Sequence, residues 1–69
     1  MRFSLRDLDT GLFLASNGWT SDCRTAQTFT TTDEVSKKAS EHKVRNAAAA
    51  IIHGEPSRAM GFLWVTNPN

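Results

Sequence analysis

The 69-residue chain carries 8 Lys+Arg against 7 Asp+Glu, a formal net charge of +1, with 39% hydrophobic residues, 22% charged residues and one cysteine. One small domain is the ceiling, because domains run from about 50 residues upward and a chain this short buries only about 60% of its unfolded surface. Near-neutral charge removes the electrostatic case for a dedicated nucleic-acid binder, and a lone cysteine excludes an internal disulfide and a thiolate-pair zinc site.

The opening residues Met1 to Asp7 carry charge and lack the uninterrupted apolar block of a secretory signal. The longest apolar run, Ala47 to Ile52, is far short of the roughly 20 residues that span a bilayer. With a single cysteine, a soluble cytoplasmic protein is expected.

From Arg2 to Leu8, Phe3 and Leu5 alternate with Arg2, Ser4 and Arg6, the period of two of a half-buried strand. Asp9-Thr10-Gly11 supplies turn chemistry, and Leu12 to Ser16 forms a second strand that closes a hairpin. Asn17-Gly18 accepts positive φ at both central positions of a type I′ turn. A short third strand begins at Trp19, and its continuation through Arg24 loses alternation and reads as an irregular connection. Thr31 and Glu34 fit the S/T-x-x-E capping box that opens a helix. Opposite-charge pairs Glu34/Lys38, Lys37/Glu41 and Glu41/Arg45 follow at i, i+4 on that helix.

The Ala47–Ala50 run and the Gly54, Pro56 stop signal allow one long helix to about His53. Phase opposes it. At about 100° per residue from Val35, Ala39 and His42 fall within about 40° of Val35, whereas Val44, Ala48 and Ile51 fall near 180° from it. The helix is therefore expected to end around Arg45 with Asn46 as a left-handed cap, Ala47 to Ile52 to be a buried strand, and residues 53–58 to be a loop leading to a return strand from Met60 to Thr66. The fold class is α+β: a small ββαββ domain with a mostly antiparallel sheet and one helix on one face.

Cys23, His42 or His53, and Asp22 or Asp33 supply the residue types of a nucleophilic site at no recognisable spacing. Cys23 reads more simply as a small buried apolar group. His53-Gly54-Glu55 offers two metal ligands without a third or fourth nearby, and the scattered glycines form no phosphate cradle. No catalytic residue, cofactor or metal is expected. Lys37, Lys38, Lys43 and Arg45 on or near the helix, with Trp19 and Trp64 as stacking groups, would serve a nucleic-acid-binding accessory protein. Glu34 and Glu41 among those bases instead describe an ion-paired, solvated face.

The last strand is apolar on both sides: Phe62, Trp64 and Thr66 point one way, Leu63 and Val65 the other. The second strand repeats this, with Leu12 and Leu14 opposite Phe13 and Ala15. One helix covers one face of a sheet, so the opposite face is expected to need a second layer. The favoured reading is a non-catalytic interaction module, a homodimer or a dock for another protein. Its anchors are either Phe13, Phe62 and Trp64 or Leu12, Leu14, Leu63 and Val65, with Trp19 a further candidate.

Overall fold

The structure is a computed structural model that describes residues 2–54 and 58–65, with positions 59 and 64 as backbone alone. The element order is β1 (Arg2–Asp7), β2 (Leu12–Ala15), β3 (Gly18–Thr20), α1 (Thr32–Glu41), β4 (Ala47–His53) and β5 (Arg58–Trp64). The strands form one five-stranded antiparallel sheet in the order β3-β2-β1-β4-β5. The α+β class and the single helix match the sequence reading; the short strand at Trp19 completes the sheet as β3.

The Ala47 run is an interior strand of the sheet, its alanines fully buried between β1 and β5. Phase decides this against propensity: a strand puts Ala47, Ala49 and Ile51 beside Asp7, Leu5 and Phe3, where packing outweighs alanine's preference for helix. On that face Phe3, Leu5, Leu14 and Ala49 meet Val35 and Ala39 of α1.

Thr31 caps α1, its hydroxyl accepting from the Glu34 N–H at 3.3 Å. Glu34 reaches back one residue further than in the usual box, accepting from the Thr30 hydroxyl at 2.7 Å and the Thr30 N–H at 3.3 Å. The helix ends at Glu41, short of the expected Arg45, and the left-handed residue is Lys43 (φ 55°), not Asn46. The Val44 N–H donates to the Ala39 carbonyl at 2.9 Å and the Lys43 N–H to the Ser40 carbonyl at 3.1 Å. These are the two bonds of a Schellman end, closed by burial of Val44 in the same core as Ala39. Asn46 acts elsewhere. Its Nδ2 donates to Asp9 at 3.1 Å and its carbonyl accepts from the Leu8 N–H at 2.8 Å, tying the entry of β4 to the first turn.

The turn between β2 and β3 also differs from expectation. In the β2–β3 hairpin Ala15 pairs with Gly18, so Ser16 and Asn17 form the loop. Gly18 takes φ 134° while Asn17 stays out of the positive region, so the type I′ turn at Asn17-Gly18 does not form. In the first turn the carboxylate that bonds the downstream backbone is Asp7, accepting from the Asp9 N–H at 2.9 Å. The return strand starts at Arg58 rather than Met60, and Thr66 lies outside the described residues. Its register with β4 shifts between Ile51 and Ile52, leaving a bulge at Met60.

The segment after β3, expected to be a mere connection, is a second cover. Cys23 and Ala26 pack against Phe13, Ala50 and Ile52 on the sheet face away from the helix. The chain then runs beside β1: the Ser4 hydroxyl donates to the Gln27 carbonyl at 3.0 Å, and Phe3 and Phe29 exchange backbone bonds of 2.8 and 2.7 Å. Asp22 organises the turn, bonding the Arg24 N–H at 2.9 Å and the Arg24 Nε at 3.1 Å.

The Arg24 side chain holds the Asp22 carboxyl below its usual range, and the Thr30 hydroxyl does the same for Glu34. A carboxylate lowered by folding contributes stability that is present above its unfolded pKa, about 4, and is lost as pH falls through the folded value. Thermal melts are therefore expected to be level above about pH 5 and to fall below about pH 4, with a shallower fall in the Asp22→Asn/Glu34→Gln double variant. An identical acid slope in that variant would show that neither carboxylate contributes.

Candidate interaction surface

The strand registers assign Leu12, Phe13, Leu14, Trp19, Phe62 and Leu63 to faces. Phe13 lies beside Arg6, and Phe62 beside Ala50, on the face away from the helix. Leu14 and Leu63 lie on the helix face, beside Trp19 and Ala49 respectively. The two predicted sets are thus separated as the alternation implied, and the two covers treat them differently. Leu14 is buried in the helix-side core, Val65 packs against it, and Leu12 is half-buried. Phe13 is buried at 6% exposure, under Cys23 and Ala26, and is not available as a surface anchor.

What remains exposed is concentrated on β5. Met60 is 65% exposed and Phe62 and Leu63 each 46%; Trp19, at 39%, is the other large exposed apolar group among the described residues. The side chain of Trp64 lies outside the described residues. Trp19 projects on the helix side, where its ring meets His42 edge-on at 6.2 Å between centroids.

Phe62 is held in place by Arg6. The guanidinium lies 4.8 Å from the centre of the Phe62 ring and 5.3 Å from that of Phe13. Arg6 stands on β1 with Ala48 as its β4 neighbour, and Ala50 separates Ser4 from Phe62. Alanines at these two positions leave the face low enough for a long side chain to reach over β4 to the edge strand. The contact stabilises an exposed cation–π pair by about 0.5–1 kcal/mol, against the cost of an Nε that is buried without an acceptor. No sequence periodicity announces this bridge, because it joins strands that are not consecutive.

The basic candidates divide. Lys37 is exposed on α1, and Lys38 lies 3.6 Å from Glu41. Lys43 and Arg45 lie beyond the helix, Lys43 in the left-handed turn. Of the expected i, i+4 pairs, Glu34 turns instead to Thr30 and Thr31. Cys23 and His42 stand on opposite faces of the sheet, the first packed against Phe13 and the second against Trp19. Among the described residues no three His, Cys, Asp or Glu side chains gather where a metal ion could sit, and no helix is long and apolar enough to cross a membrane. No family model, curated protein or solved structure matches the chain.

Proposed function

We propose that the chain is a non-catalytic protein-interaction module that engages its partner, a second copy or another protein, through strand β5. The observation that carries this reading is the gathering of Met60, Phe62 and Leu63, all exposed, on one edge strand. Exposed apolar groups scattered singly need no explanation, whereas several on one strand with an open edge favour association. Arg6 supports it further, since a ring held by a neighbour loses less freedom when it is covered than a free one does. A lone cysteine suits a reducing compartment such as the cytoplasm.

The nucleic-acid reading draws less support. Lys38 is engaged by Glu41, Trp19 by His42, and Lys43 and Arg45 do not continue a helical track with Lys37.

A photo-crosslinking residue at Met60, compared with one at the exposed Lys37 of α1, tests the reading in cells that express the chain. Crosslinks are expected to be enriched at position 60 and to disappear with Phe62→Ser/Leu63→Ser. Equal yields at positions 60 and 37 would overturn it.

A further inference from the structure

The two edges of the sheet are built differently. At one end β3 is only 3 residues long, a length that leaves little ladder for another chain to extend. At the other end β5 is 7 residues long, and among the described residues nothing pairs with its outer side. Edge strands are commonly blunted by lysine, proline or a bulge. The bulge at Met60 blunts only the start of β5, where Arg58 also lies. Beyond it, residues 61–65 read Gly-Phe-Leu-Trp-Val, with no charge and no proline.

Backbone directions in this stretch follow from one bond. The Val65 N–H donates to the Ala47 carbonyl at 3.0 Å, and the register pairs Leu63 with Ala49 and Gly61 with Ile51. Hydrogen-bonded pairs alternate with non-bonded ones in an antiparallel ladder, so positions 61, 63 and 65 turn their backbone groups toward β4. Positions 62 and 64 turn theirs outward, unpaired in the ladder.

We infer that β5 is a homodimerisation edge: residues 61–65 pair antiparallel with the same residues of a second copy, about a two-fold axis through Leu63, to form one continuous ten-stranded sheet. This rests on the reading of β5 as an interaction strand and names its occupant. The axis at Leu63 is the centre of the bulge-free stretch. It sets Phe62 against position 64 of the second copy, so the outward N–H and C=O groups of both meet, and it brings leucine against leucine on the helix side. A second copy fits because the stretch is uncharged and so does not repel itself. The cation on β5 itself, Arg58, also stays clear: it lies five residues from the axis, so the two copies' Arg58 residues stand about 33 Å apart along the strands, well beyond the screening length of about 8 Å in physiological salt.

The axis makes position 63 a non-bonded pair, with Cα atoms about 4.5 Å apart, within the span a disulfide bridges. Met60 is more exposed than Leu63 and lies outside the paired stretch, so random collision favours crosslinking at 60 while edge pairing favours 63. In a Cys23→Ser background, Leu63→Cys is expected to form a disulfide-linked dimer about tenfold faster than Met60→Cys under mild oxidation. Sedimentation of the unmodified chain is expected to show a dimer, which Leu63→Lys, setting like charges face to face at the axis, converts to a folded monomer with an unchanged circular dichroism spectrum. Should Leu63→Lys unfold, the disulfide rates of the cysteine variants still decide.

Crosslinking at 60 as fast as at 63 overturns the edge pairing. A partner of different mass captured at position 60, with the purified chain monomeric, overturns the homodimer and leaves the interaction strand standing. A monomer with no enrichment at 60 in cells overturns both.

Discussion

Leu5→Ala is expected to lower stability by about 2–5 kcal/mol, the range for a buried leucine whose cavity cannot collapse. Leu5 is fully buried on the central strand β1, between β2 and β4, and faces the helix in the core that contains Val35, Ala39 and Ala49. Covering elements on both sides limit relaxation. A chain of this length has on the order of 3–10 kcal/mol of stability in all, so the variant should be partly unfolded without denaturant or reach its urea midpoint far below the parent. Leu12→Ala, half-buried at the end of β2, is the comparison and should cost less. Equal midpoints for the two variants would mean that the full burial of Leu5 contributes no more than the half-burial of Leu12.

Ala49→Leu is expected to destabilise by about 1–3 kcal/mol through overpacking. Ala49 is fully buried, flanked by Leu5 on β1 and Leu63 on β5, beneath the helix. Three extra carbons there have no space unless α1 lifts from the sheet. The same substitution would be nearly neutral if residues 47–52 were helical, because leucine and alanine are both strong helix formers. Urea midpoints of Ala49→Leu against Ser16→Leu, at an exposed turn position, therefore test the strand assignment and the packing together. A midpoint for Ala49→Leu as high as that of the parent would contradict both.

Local chemistry is legible where a single residue type has one physical reason to be in place. The Thr31/Glu34 start of α1 and the alternation of Phe3 and Leu5 belong here. The alanine run is legible only by combining phase with propensity and letting phase decide. The helix end is misplaced by sequence because asparagine is the better left-handed residue in isolation, whereas the chain uses Lys43 so that Val44 can drop into the core beside Ala39. The sign of that end is an apolar residue five positions after another, a spacing that also occurs by chance.

The surface is legible in outline and not in extent. Alternation separates Phe13 and Phe62 from Leu14 and Leu63, yet it makes filler of everything between Thr20 and Phe29. Cys23 and Ala26 are small, and their contribution depends on where the turn at Asp22 delivers them. With that cover over Phe13, the bare region contracts from a whole face to the strand at its edge. Alternation alone makes Arg6 a solvent-facing strand residue, and its reach to Phe62 depends on Ala48 and Ala50 being short, which becomes visible only once β1, β4 and β5 are neighbours.

The middle of the sheet is a junction between distant parts of the chain. β1 meets β4 over its full length, from Arg2 against Ile52 to Asp7 against Ala47, so the hairpins on either side cannot share a core until a loop of some forty residues has closed. Closure of that kind raises contact order and slows folding relative to a helical bundle of equal size. The seam between the two halves is therefore where nucleation should concentrate, and a polypeptide cut between α1 and β4 would have to recover its shape by reassociation of two pieces, neither of which owns a complete interior.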